Sequence, residues 1–584
     1  MSTWWERYPD ELSKEKAALE ALGYAWSIDQ AAMDAGQMVV RVDVPHEGGV
    51  LALTAVYPDT YPYFVPMVTT DSVQFQRHQH PLGRNLCLLA REGEDWRPGH
   101  DSLATLIREQ LPAILGVNSG CMEPDAVAQA EDHAGEPLSS FLPYVPECSV
   151  IVPDETPPVE VPAGRLSLLL RSTPAGWPGQ CFVNGIVESI ADLQGKSLVR
   201  FNRRIPSFDR STNGFWLRLN ERPAVNTFES SAIDLYKLVD GRLAPLTKAI
   251  QNAKRGEVFI VGLLYPDEVS WRNNADDWVF LAIQVVRETK RSRPAEILPQ
   301  IVRANWGGEK AWLRRAPFLA PLRTKTALVV GLGSLGSAVV VQLARAGIGG
   351  LCLLDDDNLH VGNTVRWALG WQYAGFQKGT ALASDIAANY PYTIVQSFSH
   401  LRIGALPNPP AGQPSQYEIL ERLIIESDIV IDAAASYRVS HFLADLARER
   451  GKPYLWLTTT HGAAGGVVGR VQPSKNRGCW HCFQRGLADG SIHLPADAGT
   501  DEVQPGGCSQ PTFIGAGIDS DVIANQAARL AAATLCSRED AGYPDFAWDV
   551  AVADLQRDGL SIAPEWTTHV LAARQDCPDC SGQA

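Results

Sequence analysis

The stretch Thr326-Ala-Leu-Val-Val-Gly331-Leu-Gly333-Ser-Leu-Gly336 decides the fold of the C-terminal half of this 584-residue chain. Its first five residues are mostly apolar, which is typical of a short buried strand. The three glycines that follow allow a tight turn and bring backbone N–H groups to the N-terminus of an apolar helix. The stretch therefore predicts a strand–turn–helix that binds the phosphates of a nucleotide.

The next strand supplies an acidic residue. Residues 351–354 are apolar and lead into Asp355, nineteen residues after Gly336, where a carboxylate can accept hydrogen bonds from a ribose. Strand-like and helix-like segments alternate from about residue 305 to the C-terminus. This alternation predicts a Rossmann-like, doubly wound α/β domain over 305–584.

The residues after Asp355 distinguish ATP from a dinucleotide. Asp357 is followed by Asn363, Arg366 and Lys378. Two cations and an amide behind a ribose-binding acid suit a triphosphate and its departing pyrophosphate, whereas hydride transfer to a nicotinamide would not use them. An NAD-dependent oxidoreductase stays an alternative, but it explains only the glycine turn.

The stretch from Gly331 to Lys378 resembles the adenylation domain of the ubiquitin-activating and MoeB/ThiF family, and the resemblance extends over about 320–584. That family's pattern is Gly-x-Gly-x-x-Gly, a strand ending in Asp-x-Asp, then Asn-x-x-Arg and Lys. The resemblance implies ATP and Mg²⁺ as cofactors, with Arg366 and Lys378 stabilising the adenylation transition state. It implies a nucleotide site made of Gly331, Gly333, Gly336, Asp355, Asp357, Asn363, Arg366, Lys378 and Asp432.

One position departs from that pattern. The family has a metal-associated aspartate three residues after a strand-end aspartate, but this chain has Asp432-Ala-Ala-Ala435. Position 435 therefore lacks the carboxylate. Either Asp432 takes over the contact with Mg²⁺ or the metal is held differently.

The cysteines indicate a metal site. The chain has 11 cysteines, an odd number, and no signal-peptide-like apolar stretch at its N-terminus, so we expect a cytoplasmic protein without a disulfide scaffold. Two Cys-x-x-Cys pairs, Cys479/Cys482 and Cys577/Cys580, predict a closed and therefore structural Zn²⁺ site. His481 is a less favoured ligand. The adenylating family carries the same paired arrangement.

A further cysteine lies between the two pairs. Cys508 follows a polar stretch rich in Gly, Asp and Pro and precedes an apolar segment that extends to about residue 530. A thiol at the end of such a loop, close to the start of a helix, is accessible and has a lowered pKa. The position matches the acyl-accepting cysteine of the family, although a buried structural thiol stays an alternative.

Residues 1–145 form the first predicted domain, and about 1–120 of them resemble the ubiquitin-conjugating fold. They contain an initial helix, strand-like runs, Tyr57-Pro and Tyr61-Pro, His80-Pro-Leu82, then Gly83-Arg-Asn-Leu-Cys87-Leu and a Trp-x-Pro before another helix. The resemblance predicts an α+β domain whose Cys87 carries an acyl group. The family's His-Pro-Asn amide stabilises an oxyanion; here the third residue is Leu82, and Asn85 or His80 is a candidate substitute. A degenerate, non-catalytic version of the fold is the alternative.

A proline- and acid-rich stretch begins near residue 145, and apolar segments after it predict a β-rich middle domain over 146–304.

The composition argues against some partners. The formal net charge of −15 does not favour direct binding of nucleic acid. The longest apolar stretch, 326–354, is interrupted by glycines and Arg345, so we expect no membrane span.

Together these resemblances imply ATP-dependent transfer of a ubiquitin-like protein. Adenylation, a thioester on Cys508 and transfer to Cys87 would precede ligation to a lysine-bearing target. The order of domains resembles the fused protein of bacterial CBASS antiphage operons, which implies a cGAS-like nucleotidyltransferase as acyl donor, a homodimer and a role in defence. The main alternative is a sulfur-carrier adenylyltransferase of molybdopterin or thiamin synthesis, which has no use for Cys87. A non-enzymatic scaffold would tolerate the loss of both cysteines.

Overall fold

The computed structural model describes residues 2–46, 49–88, 96–119, 135–174, 181–201, 205–287, 295–405, 412–473, 478–498, 502–503, 512–536 and 542–580. The chain forms two compact units, residues 1–201 with 209–306 and residues 202–208 with 307–584. No helix within the described residues has the length and apolar character that crossing a membrane requires.

The N-terminal unit begins with helices and a four-stranded antiparallel sheet whose strands are adjacent in chain order. Alternate residues of β2 are buried, as expected for a strand with one covered face. The elements are α1 (Trp4–Arg7), α2 (Pro9–Leu22), β1 (Ala25–Ile28), α3 (Gln30–Asp34), β2 (Val39–His46), β3 (Gly49–Val56), β4 (Met67–Thr69), α4 (Leu103–Glu109) and α5 (Leu111–Ser119).

A buried carboxyl group joins the helices to the tyrosine-rich turns after β3. Glu15 of α2 is 4% exposed and accepts hydrogen bonds from the hydroxyl groups of Tyr57 and Tyr61, both at 2.7 Å. It also accepts one from the backbone N–H of Leu103 at 2.8 Å. Burial raises the pKa of Glu15, and these three hydrogen bonds oppose that rise.

The second half of this unit is a ring of strands with two helices. Pairing runs β5–β12–β11–β10–β9–β6–β7, and β7 pairs with β5 again, so the ring closes; β8 adds to the outside of β7. We refer to these strands and helices as the middle barrel. Its elements are β5 (Ser149–Val152), β6 (Ala163–Leu170), β7 (Asn184–Asp192), β8 (Ser197–Arg200), β9 (Arg210–Arg218), α6 (Ser231–Val239), α7 (Ala244–Asn252), β10 (Val258–Ser270), β11 (Asn273–Arg287) and β12 (Glu296–Trp306).

The C-terminal unit is built on an eight-stranded sheet of order β15-β14-β13-β16-β17-β18-β21-β22. The first five strands are parallel and the last three antiparallel. Its elements are α8 (Glu309–Leu313), β13 (Thr326–Val330), α9 (Ser334–Arg345), β14 (Gly350–Leu354), α10 (Lys378–Asn389), β15 (Ile394–Ser397), α11 (Gln416–Glu426), β16 (Ile429–Asp432), α12 (Tyr437–Glu449), β17 (Tyr454–Thr459), β18 (Gly465–Val471), α13 (Trp480–Ala488), β19 (Glu502–Val503), β20 (Thr512–Phe513), α14 (Gly517–Cys536), β21 (Val550–Arg557) and β22 (Leu560–His569).

Both faces of the parallel strands are covered. Alternate residues of β13 enter two different apolar clusters, with Val329 in one and Leu328 and Val330 in the other. A parallel sheet between two helical layers places the carboxyl ends of its strands along one edge, where ligands bind. The predicted Rossmann-like arrangement is confirmed for this unit.

Candidate functional site

The three glycines after β13 have different structural roles. Gly331 has φ +82°, and a Cβ there would lie 2.5 Å from the Cα of Ala434. A Cβ at Gly336 would lie 1.8 Å from the carbonyl oxygen of Gly331, so the helix packs directly on the turn. A Cβ at Gly333 would meet nothing within 4 Å. The first and third glycines therefore serve the fold, while Gly333 leaves open space in which a phosphate can approach the backbone.

The two acids after β14 are fixed by this turn and by Lys378. Asp355 accepts hydrogen bonds from the N–H of Leu332 at 2.6 Å and from the N–H of Asp357 at 2.8 Å. Lys378, the first residue of α10, places Nζ 2.5 Å from the Asp357 carboxylate, with its side chain 11% exposed. Burial raises the pKa of Asp355, while the charge of Lys378 opposes this. The structure thus brings the predicted ribose-binding and phosphate-binding groups together.

The segment that carries Asn363 and Arg366 is tied to the same turn. It forms a short 3₁₀ helix, Val361–Val365. The indole N–H of Trp367 donates to the carbonyl oxygen of Leu332 at 2.7 Å, and the hydroxyl of Ser334 donates to the carbonyl oxygen of Arg366 at 2.8 Å. Burial lowers the pKa of the Arg366 guanidinium, so an anionic partner would offset the cost of its desolvation.

Asp432 is placed differently from the other predicted residues. It ends β16 beside Val330, but its side chain is 2% exposed. One carboxylate oxygen accepts from the N–H of Ala434 at 3.0 Å, and the other from the hydroxyl of Tyr454 at 2.8 Å. Burial raises its pKa. A buried carboxyl with both oxygens engaged does not favour the predicted contact with Mg²⁺.

The backbone at position 435 keeps a conformation that suits the missing aspartate. Ala435 has φ +51°, in the left-handed region that Asp and Asn occupy more readily than Ala. Position 435 therefore lacks a carboxylate but has a backbone conformation that an aspartate would adopt more readily than alanine.

The four predicted zinc ligands converge. The distances between sulfur atoms are 3.9 Å for Cys479 and Cys482, 3.6 Å for Cys479 and Cys577, and 3.7 Å for Cys482 and Cys580. A tetrahedral ion with Zn–S bonds of ~2.3 Å separates its sulfur ligands by about 3.8 Å. All four side chains are buried, so the donor set and its spacing fit a structural Zn²⁺.

His481 is engaged elsewhere. One ring nitrogen contacts the carboxylate of Asp579 and the other lies 2.6 Å from Nε2 of His441. His441 in turn accepts a hydrogen bond from the indole N–H of Trp480 at 3.1 Å. With both nitrogens of His481 in this chain of contacts, the four cysteines make the better ligand set.

Cys87 lies on the outgoing side of a short hairpin in the N-terminal unit. Gln79 pairs with Leu86, and the N–H of Cys87 donates to the carbonyl oxygen of His78 at 2.8 Å. The thiol-bearing residue is exposed. The hairpin presents Cys87 at the surface, as an acyl carrier requires.

His80 shapes the turn of this hairpin. Its Nδ1 accepts from the N–H groups of Leu82 and Gly83 at 3.1 and 2.9 Å. Burial lowers its pKa, which favours the neutral ring with the proton on Nε2. His80 therefore holds the turn, and Leu82 is buried, with 7% exposure.

Cys508 lies outside the described residues, in the connection between β19 and β20. The structure does place the start of the helix that follows. Gly517 lies so close to Arg366 that a Cβ there would meet its Cα at 3.1 Å, and the hydroxyl of Ser520 lies 2.7 Å from that of Ser334. The helix after Cys508 therefore begins beside the nucleotide turn.

Sequence reasoning missed the residues that hold these groups in place, among them Ser334, Trp367 and Tyr454. Ser334 lies within the glycine-rich stretch 331–336, and its hydroxyl group is a sequence signal for a hydrogen bond at the turn. Trp367 adjoins Arg366 but carries no motif of its own. Tyr454 reaches Asp432 across a neighbouring strand, and nothing in the local sequence marks that contact.

Comparison with known proteins agrees with this geometry. Residues 310–548 match the ThiF family. The uncharacterized protein y4oA of Sinorhizobium fredii is 29% identical over 98% of this chain and 97% of its own length. The ATP-dependent ubiquitin transferase-like protein Cap2 of Enterobacter hormaechei is 23% identical over 37% of this chain and 38% of its own.

Among solved structures, the crystal structure of E. coli MccB with ATP matches 45% of this chain and 68% of its own at 17% identity, with a TM-score of 0.32. The match of residues 310–548 to the ThiF family supports a ubiquitin-activating-like adenylation domain in this part of the chain, with adenylyltransferase activity.

Proposed function

We propose that this protein uses ATP to activate the C-terminal carboxylate of a ubiquitin-like protein or of a cGAS-like nucleotidyltransferase, and then transfers it through Cys508 and Cys87 to a target amine. The observation that carries the proposal is the convergence of Gly333, Asp355 and Lys378 on one turn. The match to the ThiF family over residues 310–548 supports it.

In the first step a carboxylate oxygen of the donor attacks the α-phosphorus of ATP, and pyrophosphate leaves. Asp355 accepts hydrogen bonds from the ribose hydroxyls, and the amides around Gly333 approach the phosphates. Lys378 and Arg366 offset the charge that develops as the bond to pyrophosphate breaks. Mg²⁺ supplies further positive charge at the triphosphate; we assign no carboxylate of this chain to it.

In the second step the thiolate of Cys508 attacks the carbonyl carbon of the acyl-adenylate, and AMP leaves. The thiol of Cys87 then displaces Cys508 in an exchange of one thioester for another, which is nearly isoenergetic. Both cysteines belong to one chain, which raises their effective concentration to roughly the mM range. A lysine of the target finally attacks the Cys87 thioester.

The conjugating role of the N-terminal unit is supported by its element order and by the placement of Cys87. A helix, a four-stranded meander and an exposed cysteine after the turn of His80 precede two further helices. The similarity to the ubiquitin transferase-like protein Cap2 supports transfer of a ubiquitin-like protein, and a defence role of the CBASS kind is a further part of the proposal. We further propose that the adenylation domains pair into a homodimer and that Zn²⁺ binds the four cysteines.

A sulfur-carrier adenylyltransferase of molybdopterin or thiamin type is the second candidate. It would use the same nucleotide turn and the same cysteine cluster. A sulfur-carrier activity gives no role to an exposed Cys87 on a hairpin, so we favour conjugation.

The first experiment incubates the purified protein with ATP, Mg²⁺ and the ubiquitin-like protein or cyclase encoded beside it, followed by non-reducing gels. Cys87→Ala and Cys508→Ala are compared with the wild type, and Cys352→Ala, a buried cysteine in β14, serves as the control. We expect reductant-sensitive adducts on both cysteines of the wild type and of the control. Cys508→Ala should also lose the adduct on Cys87.

Formation of acyl-adenylate without any adduct on Cys87 would contradict the conjugating role and favour the sulfur-carrier alternative. Absence of pyrophosphate release with every donor would contradict adenylation itself.

A further inference from the structure

The hairpin that presents Cys87 is held by residues far from it in sequence. Nη1 of Arg77 donates to both carboxylate oxygens of Glu268, at 2.9 and 2.8 Å, and both side chains are less than one fifth exposed. Glu268 lies near the end of β10 in the middle barrel. The first residue of the hairpin segment is therefore fixed by a largely buried ion pair with the barrel.

The adjacent residue is held through its backbone. The N–H of His78 donates to Oε1 of Glu136 at 2.8 Å, and Glu136 belongs to a segment that is itself tied to the barrel, because the N–H of Leu138 donates to Asp267 at 2.6 Å. His78 has φ +62°, a conformation that costs free energy for a non-glycine residue and persists only when surrounding contacts hold it. The carbonyl oxygen of this same residue receives the N–H of Cys87 at 2.8 Å.

The turn of the hairpin is held by apolar contacts. The ring of His80 lies 4.9 Å from that of Phe141 and 5.2 Å from that of Phe228. Leu82 belongs to a buried apolar cluster whose other members all come from position 138 onward, including Leu235 and Leu246 of the two barrel helices. Position 82 is thus an anchor in the barrel's apolar cluster.

This burial accounts for the departure at position 82. An amide side chain in that apolar cluster would lose its hydrogen bonds to water, which costs free energy unless partners replace them. Leucine instead contributes to the cluster. The position that supplies an oxyanion-stabilising amide in the conjugating family therefore anchors the hairpin in this chain.

We propose that the middle barrel is a positioning element for Cys87: Glu268, Glu136 and the apolar cluster around Leu82 hold the hairpin in the geometry required for acyl transfer to an amine. The contacts reach Cys87 through the His78 carbonyl, so Glu268 and Leu82 act through the backbone and touch no substrate. The inference rests on the proposed acyl-carrier role of Cys87. It gives the middle barrel a function in the last transfer step.

The test compares Glu268→Gln and Leu82→Ala with two matched controls in the full chain. Asp276→Asn alters another partly buried pair, in which Nη1 of Arg218 contacts both oxygens of Asp276 at 2.8 and 2.9 Å. Leu168→Ala removes an equally apolar side chain from the other barrel cluster. The double variant Arg77→Glu/Glu268→Arg restores the charge pair in reverse.

The first measurement needs no acyl donor. Hydrogen–deuterium exchange of a peptide spanning residues 77–88 should be about tenfold faster in Glu268→Gln and Leu82→Ala than in the wild type, and unchanged in both controls. Exchange at the wild-type rate in both test variants would overturn the anchoring. A variant that fails to fold would show fast exchange along the whole barrel, and the other variant then decides.

The second measurement follows the chemistry at Cys87 alone. In a Cys508→Ala background, the thiol of Cys87 displaces mercaptoethanesulfonate from a short glycine-terminated peptide thioester without ATP, and free lysine then discharges the acyl group. We expect the maximal discharge rate to fall about tenfold or more in both test variants, with the half-saturating lysine concentration unchanged, and partial recovery in the charge-reversed pair.

If variants with fast hydrogen exchange discharge the Cys87 thioester at the wild-type rate, the positioning role is wrong. If wild-type Cys87 accepts no acyl group from the thioester, its proposed carrier role fails, while the exchange measurement still decides whether the barrel anchors the hairpin.

Discussion

The nucleotide turn and the Cys87 hairpin are both short turns that present reactive groups, yet they are held in opposite ways. Several hydrogen bonds of the nucleotide turn join residues only 23 to 35 positions apart, such as Leu332 with Asp355 and with Trp367, and the Ser334–Ser520 contact adds one long-range tie. The ion pair that holds the Cys87 hairpin joins residues 191 positions apart. A turn held by its own motif is visible in the sequence, whereas the contacts that hold the Cys87 hairpin come from residues far away in the chain and leave no local pattern.

The four-cysteine cluster tests how self-contained the C-terminal unit is. We expect Cys482→Ser to lose stoichiometric zinc, measured by mass spectrometry of the metal, and to lower the free energy of unfolding by about 4–5 kcal/mol. That is the chain-entropy value for a cross-link closing a loop of roughly a hundred residues, and Cys479 and Cys577 are 98 positions apart.

Below its melting temperature, Cys482→Ser should still bind ATP with wild-type affinity, because the nucleotide turn has local partners. Weaker ATP binding by the folded variant would show that this turn also depends on distant contacts. Ser491→Ala, just after α13, is the control.

Removal of Lys378 separates chemistry from fold in the nucleotide turn. Lys378→Ala should slow pyrophosphate release about 10²–10³-fold, the usual cost of losing one group that stabilises developing charge. The melting temperature should change little, since its partner Asp357 is half exposed. Lys452→Ala, which removes a contact with a backbone carbonyl oxygen, should leave the rate unchanged, and an equal loss in both variants would contradict the assigned role.

Two of the three glycines of the turn, Gly333 and Gly336, sharpen the comparison further. Gly336→Ala should destabilise the unit by about 1–3 kcal/mol or more, because its Cβ would overlap the Gly331 carbonyl. Gly333→Ala should keep the melting temperature and weaken ATP binding, measured by calorimetry. If both substitutions lowered the melting temperature equally, Gly333 would have a structural role like that of Gly336, and the space beside it would not be a ligand site.

The smallest effect concerns pH and the N-terminal unit. The folded-state pKa of Glu15 is raised above its ordinary value of 4.5, so the folded state holds the proton more tightly than the unfolded state. The stability of this unit should therefore decrease as the pH rises from about 4.5 through the raised value. Glu15→Gln should remove this dependence, and denaturant titrations at several pH values measure it; an unchanged slope would contradict the assignment.

Much of the C-terminal unit could be predicted because its signals are local. The glycines, Asp355 and Lys378 lie on consecutive elements of one parallel sheet, and strand ends of such a sheet share an edge. The cysteine pairs could be matched because two Cys-x-x-Cys pairs in one chain are typical of a metal site. The parallel-strand topology then places the groups of the nucleotide turn along one edge of the sheet.

The remaining features depend on contacts that no local pattern encodes. Asp432 has the expected position at a strand end, but Tyr454 on the neighbouring strand binds its carboxyl group and keeps it buried. Leu82 was not predicted to be a core residue, and its place in the apolar cluster of the barrel is visible only in the structure. The ring closure of β5 on β7 likewise joins strands whose pairing cannot be derived from alternation of apolar residues alone.

The cysteine cluster has a topological consequence for the segment that contains Cys508. With one ion joining Cys479 and Cys482 to Cys577 and Cys580, the intervening residues form a closed circuit through the metal. A single protease cut within that circuit would leave both pieces joined through the metal as well as through the pairing of β18 with β21. The thiol proposed to accept the acyl group thus belongs to a stretch of sequence that the metal would fasten at both ends.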